Sequence, residues 1–176
     1  MKRLAAAFLV TAALAAVPAA AALKIGDAAP DFTAPASLAG QPFTFALAAA
    51  LKKGPVVVYF YPKAFTQGCS LEAHAFAEAM PQFAAAGASV IGVSHDDIAT
   101  LHKFSVSECG GKFPVASDGD GKIMAAYDSV WKPDLANRTS YLIAPDGKVI
   151  AEYTNLDYAQ HVATMLAALA SWKAGH

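Results

Sequence analysis

Val56-Val-Val-Tyr-Phe-Tyr-Pro62-Lys-Ala-Phe-Thr66-Gln-Gly-Cys69 joins an unbroken β-branched and aromatic run to a turn and a single thiol. Val56 to Tyr61 has the length and residue types of a central strand, buried on both faces. Pro62 ends it, because proline has no N–H to give to a ladder. From Cys69 the apolar spacing becomes helical: Cys69, Ala73, Phe76, Met80 and Phe83 step by four and three onto one face. Cys69 is therefore expected in the first turn of a helix, on its packed side. The unpaired N–H groups and positive dipole end there favour a thiolate.

The flanking sequence extends this pattern without an internal repeat or long linker. Leu23 to Thr33 reads as an extended lead-in, Pro42 to Phe45 as a short strand and Ala46 to Lys53 as a short helix. Pro81 is expected to kink or split the Cys69 helix before Gly87 ends it. Ser89 to Ser94 is a second buried strand. Asp96 and Asp97 cap a helix running to about Cys109, where Gly110-Gly111 stops it. Gly121 to Tyr127 reads as helical. Ser140–Ile143 and Lys148–Tyr153 form a hairpin about Pro145-Asp-Gly147. Asp157 to Trp172 is a closing amphipathic helix. This order implies an α/β fold of thioredoxin-like type: a central mixed sheet with helices on both faces and an N-terminal extension. Strand-to-helix junctions at the carboxyl edge of such sheets carry function, and Cys69 falls at one.

The chain has 176 residues, enough for one domain with a proper core. Its N-terminus has a separate character. Met1-Lys2-Arg3, an alanine-rich apolar stretch from Leu4 to Val17 and the small residues Ala20-Ala21-Ala22 form the pattern of a cleaved secretory signal, residues 1–22. The remaining domain is 23–176, and the expected location is periplasmic or secreted, with no membrane attachment after cleavage. Without the signal the chain carries 11 basic and 14 acidic residues, a balance that gives no support for a nucleic-acid surface. Arg138 is then its only arginine.

Pro62, Thr66 and Cys69 fit the pattern P-x-x-x-T-x-x-C, which resembles the peroxiredoxin signature. Glu72 follows at the third residue. Ala88-Ser-Val-Ile-Gly-Val-Ser94, Lys112-Phe-Pro-Val-Ala-Ser-Asp118 and Arg138-Thr-Ser-Tyr-Leu-Ile-Ala-Pro-Asp-Gly-Lys148 continue the likeness in order. Together they are similar to the bacterioferritin-comigratory, or Q-type, branch of that family, from about Gly26 to the last helix. The resemblance implies a thioredoxin-like fold and a thiol-dependent peroxidase acting on hydrogen peroxide and small organic hydroperoxides, without a cofactor or metal. It implies that Pro62, Thr66, Cys69 and Arg138 form the peroxide-binding set, with Cys69 as the attacking thiol. Glu72 is a candidate for orienting Arg138. The branch is often monomeric.

These residues suit that chemistry. A free thiol titrates at about 8.5, so attack on a peroxide needs an activator. The helix N-terminus is one, and the Arg138 guanidinium, able to donate to sulfur and to a peroxide oxygen, is another. The Thr66 hydroxyl can bond thiolate or substrate, and Pro62 walls off solvent. The resulting sulfenic acid must be resolved before further oxidation traps it. Many Q-type members carry a resolving cysteine five residues after the first; this chain has His74 there. Cys109 is the remaining thiol. It is open to three readings: a resolving cysteine, a bystander to an external thiol, or half of a structural disulfide.

His74 falls opposite the apolar face and reads as solvated. His95, His102 and His161 lack metal-ligand spacing with the cysteines and read as surface or structural. Asp118-Gly-Asp-Gly121 fails a calcium-loop pattern at Ile123 and Ser129 and reads as a turn before a helix. Trp131 stands equally as a site-flanking residue or a loop anchor. Three other functions compete. A periplasmic thiol–disulfide oxidoreductase needs C-x-x-C, but Thr66 holds the first position. Copper binding would want a second cysteine where Ala73 stands. A non-catalytic binding module leaves Thr66, Cys69 and Arg138 unexplained. The physiological partner is an unidentified thiol reductant, a thioredoxin-like protein or a small thiol.

Overall fold

A computed structural model describes residues 23–175. The expected signal segment lies outside the described residues. Strand β3 (Val56–Phe60) is an interior member, between β4 and β8, of a seven-stranded sheet of order β2-β1-β5-β4-β3-β8-β9. The other members are β1 (Thr33–Leu38), β2 (Gln41–Ala46), β4 (Ser89–Ser94), β5 (Val115–Ser117), β8 (Thr139–Ile143) and β9 (Val149–Thr154). β3 runs parallel to β4, and β4 to β5; β8 and β9 run antiparallel on one flank, β1 and β2 on the other. A separate two-stranded ribbon pairs β6 (Val130–Lys132) with β7 (Leu135–Ala136).

Every residue of β3 is buried, as its sequence requires, and its side chains divide by alternation. Val57, Tyr59 and Tyr61 join a core with Cys69, Phe76, Phe83, Phe104 and Phe113 beneath α2 (Gln67–Ala85), α3 (Ile98–Ser107) and α5 (His161–Ala174). Val56, Val58 and Phe60 join the opposite core with Phe32, Leu47, Tyr127 and Tyr141, under α1 (Leu47–Leu51) and α4 (Lys122–Ala126). Each fully buried side chain of this size contributes about 1.5–3 kcal/mol. The thioredoxin-like mixed sheet flanked by helices is thus present.

Several elements depart from the expectation. The expected lead-in stops at Thr33, where β1 begins. β1 is a six-residue strand joined to β2 by Ala39 and Gly40, both at positive φ (51° and 77°) in a two-residue hairpin loop. Asparagine or glycine usually marks the first of those positions, so alanine hides the turn. Short β5, β6 and β7 also escaped sequence reading. α2 is not split at Pro81 but runs continuously through it, clamped by Phe76 and Phe83, both fully buried against the sheet. Gly87, at φ +75°, follows its end as expected. Among the described residues, no helix is long and apolar enough to cross a membrane.

Candidate active site

The loop between β3 and α2 places the thiol. Thr66 is the N-cap of α2 by backbone geometry, and the Ser70 N–H donates to its carbonyl (2.9 Å). Cys69 is the third helical residue, 1% exposed. No acidic side chain occupies the first turn, so the positive end of the helix faces the thiol without a competing carboxylate. Phe65 holds φ +62°, a left-handed conformation uncommon for a bulky side chain. Its ring packs edge-on against Phe104, with centroids 5.3 Å apart. Asp96 holds this loop from a distance: its Oδ2 accepts from Ala64 N and from Ser94 Oγ, both at 2.8 Å. Asp97 alone caps α3, accepting from Thr100 N. The joint capping read for Asp96 and Asp97 is therefore corrected, and the loop-holding role of Asp96 had no sequence signal.

Antiparallel pairing brings in the arginine. Phe60 at the end of β3 faces Thr139 at the start of β8, so Arg138 arrives at the edge where α2 begins. Its guanidinium is held on three sides. Nε donates to Leu156 O (2.9 Å), Nη1 to Glu72 Oε2, and Nη2 to Cys69 Sγ (3.4 Å). Arg138 is 5% exposed and Glu72 fully buried. Burial works against the Arg138 cation, yet Glu72 and Cys69 beside it outweigh that and hold its pKa above the ordinary value. Burial pushes the Glu72 carboxyl up to about 8 against the pull of Arg138. Glu72 Oε1 has no hydrogen-bond partner. Gly68 makes this approach feasible: a Cβ there would lie 3.3 Å from Arg138 Nη2. Only the cost of glycine in a helix's first turn could have hinted at this.

The other expected residues are placed less directly. The Thr66 hydroxyl donates to Lys63 O (2.9 Å), which leaves its oxygen as an acceptor facing solvent. Pro62, half-buried at the end of β3, lines a cavity of about 670 Å³ with Phe65, His95 and Asp134. Cys109 lies two residues beyond α3, fully buried, in the same core cluster as Cys69. Both thiols are free and both act electrostatically on Tyr59 and Tyr61. Burial, and then the charge of Glu108, push the Cys109 thiol well up. Gly110 and Gly111 follow at φ +56° and +66°.

His74 is half-exposed, as read, and sits 3.3 Å from Glu108. His161 is structural rather than superficial: fully buried, its Nδ1 lies 2.8 Å from Ser140 Oγ and its Nε2 2.9 Å from Asn155 O. Asp118 accepts from Ile123 N and Met124 N, which makes its segment the turn before a helix. Trp131 is 43% exposed in the β6 ribbon, with Lys132 Nζ over its ring. Among the described residues, no group of three or more His, Cys, Asp or Glu side chains is placed to hold a metal ion.

The AhpC/TSA family model matches residues 25–152. The chain belongs to the AhpC/TSA family. This AhpC/TSA protein is 34% identical over 121 residues to peroxiredoxin Bcp of Xanthomonas campestris pv. campestris, covering 65% of this chain and 75% of that one. It is 32% identical over 147 residues to peroxiredoxin Bcp of Escherichia coli K12, covering 79% and 90%. The crystal structure of peroxidoxin BcpB from Mycobacterium tuberculosis superimposes with a TM-score of 0.76 at 30% identity, covering 85% and 97% of the two chains. The AhpC/TSA protein is accordingly a peroxiredoxin, an oxidoreductase that reduces peroxide at the expense of a thiol. The dithiol-exchange and binding-module alternatives are not favoured.

Proposed function

We propose that Cys69 is the peroxidatic thiol, activated by Arg138 and the α2 N-terminus, and that Cys109 resolves its oxidised form. The observation that carries this is the Arg138 fork, with one nitrogen on Cys69 Sγ and another on Glu72. The Cys69 thiolate attacks the nearer peroxide oxygen; the S–O bond forms as the O–O bond breaks. The departing alkoxide takes a proton, giving a sulfenic acid and an alcohol or water. Arg138 offers N–H groups where negative charge moves from sulfur to oxygen, the kind of preorganised stabilisation that acts mainly in the transition state. Thr66 Oγ1, its own proton committed to Lys63 O, is free to accept the peroxide's O–H. Pro62 borders the approach. Glu72 orients Arg138 from behind.

Resolution forms the Cys69–Cys109 S–S bond and releases water; an external thiol reductant then restores both thiols. Cys109 is buried and its thiol held protonated, so this step calls for local opening of α2 or of the Gly110-Gly111 turn. The basic and apolar start of the chain supports action outside the cytoplasm, and the likeness to the often monomeric Q-type branch supports a monomer; its electrons come from a thioredoxin-like protein or a small thiol.

Intact-mass spectrometry of the reduced protein after one equivalent of hydrogen peroxide tests this reading. The expected result is rapid loss of two hydrogens, replaced in Cys109→Ser by gain of one oxygen and absent in Cys69→Ser. Peroxide consumption retained by Cys69→Ser removes Cys69 from its role. An added oxygen with no disulfide in the wild type makes this a one-cysteine enzyme.

A further inference from the structure

Behind the Arg138 fork stands a second buried pair. His161 Nδ1 lies 3.7 Å from Glu72 Oε1, the carboxyl oxygen that has no hydrogen-bond partner; both side chains are fully buried. The hydrogen positions follow from the partners. His161 Nε2 faces the Asn155 carbonyl, which can only accept, so Nε2 carries a hydrogen. Nδ1 then either spends its one lone pair accepting from Ser140 Oγ or carries the second N–H of an imidazolium. With Nδ1 unprotonated no donor faces the bare Oε1 carboxylate oxygen, and out of water this leaves a buried charge uncompensated on that side. One proton between them removes the conflict, on Oε1 or on Nδ1.

We propose that His161 is a positioning residue of the peroxidatic site, sharing one proton with Glu72 so that this pair is neutral behind the Arg138–Cys69 ion pair. The proposal rests on the assignment of Cys69 and Arg138 above. With that proton, the buried cluster of Cys69 thiolate, Arg138 cation, Glu72 and His161 carries no net charge. Without it, the cluster carries one uncompensated negative charge, and Arg138 is drawn toward Glu72 and away from sulfur. Burial favours the shared state from both sides, raising Glu72 to about 8 and lowering His161. The other groups facing the pair are Arg138 and Cys69, Tyr59 from β3, the Tyr153 ring at 4.8 Å from β9, and Asp157 ahead of the last helix. Arg138 disfavours the imidazolium and Asp157 favours it. Attack on peroxide turns the thiolate into a neutral sulfenic acid, so the same proton is held less tightly once Cys69 is oxidised.

The decisive experiment is an NMR titration of the wild-type protein, following the His161 imidazole nitrogens and the Glu72 carboxyl carbon together. The expected result is the Nε2–H tautomer, with Nδ1 and the carboxyl carbon changing over one pH range for a single proton. That range moves to lower pH in Cys69→Ser, where the thiolate charge is gone. Two independent titrations, an Nδ1–H tautomer, or no movement in Cys69→Ser would each overturn the proposal. None of these readouts requires turnover, so they are distinct from failure of the peroxidase assignment. His161→Gln supplies a kinetic check on the first oxidation step. Its rate should fall about fivefold, the worth of one hydrogen bond, and its pH profile should lack the inflection expected of the wild type. A lower rate with an unchanged profile would reduce His161 to a merely structural residue and overturn the proton-sharing role.

Discussion

Glu72 connects the catalytic chemistry to folding stability. Its carboxyl binds a proton up to about 8 in the folded chain, while the unfolded carboxyl releases it near the ordinary 4.5. Between those values the folded state holds more protons than the unfolded one. The Glu72 contribution is therefore fully present below the lower value and is lost as pH rises toward the upper one. His161 acts in the opposite direction: its folded pKa lies below the ordinary 6.5, so its contribution is lost as pH falls. Urea midpoints measured from about pH 5 to about pH 8 should thus decline more steeply in the wild type than in Glu72→Gln. Equal slopes would show that burial does not raise Glu72. Gly68 gives a second residue-scale expectation. In Gly68→Ala the added methyl meets Arg138 Nη2, which three hydrogen bonds pin in place, while alanine favours the helix by up to about 1 kcal/mol. Thermal stability should hold or rise while Cys69 oxidation slows severalfold. A variant oxidised at the wild-type rate would show that Arg138 does not need this close approach.

The Cys69 helix shows how far an element can override a local signal. Pro81 removes an N–H from the middle of α2 and sets its ring against the preceding turn, yet the helix is unbroken from Gln67 to Ala85. Side chains on both sides of the proline supply the compensation: Phe76 stacks on Tyr59 at 4.3 Å, and Phe83 lies 6.1 Å from Phe76. Pro81 is exposed, so its replacement disturbs no core contact. Pro81→Ala should raise the stability of the domain by up to about 3 kcal/mol, less the entropy that proline removes from the unfolded chain. Denaturant unfolding checks this, and an unchanged or lower midpoint would mean that the helix bears no cost at that position.

At the scale of the whole molecule, the proposed Cys69–Cys109 disulfide requires a core that opens. Cys69 and Cys109 belong to one packed cluster, and each lies next to a segment with a reason to yield: the first turn of a helix, and a two-glycine turn at positive φ. Hydrogen exchange of the peroxide-oxidised protein should show lost protection over residues 67–73 and 105–111, with the central sheet unchanged. Full protection in both segments would place the disulfide, and hence resolution, elsewhere.

The sequence alone was enough for the buried β3 strand, the Cys69 helix and the order of the main elements, because each is a local pattern. Strand burial follows from composition, helix facing from spacing, and the thiol's position in the first turn from both. Tertiary structure decided what depends on distant chain segments meeting. β8 running antiparallel to β3 carries Arg138 to a cysteine 69 positions earlier, and the last helix carries His161 to Glu72. Asp96 rather than Asp97 holds the loop that leads into Cys69, although the two are adjacent and alike in sequence. A carboxylate, a histidine or an alanine in a tight turn has several locally acceptable roles. Its role is set by the partners that the folded sheet brings within hydrogen-bond reach and by the water that packing excludes.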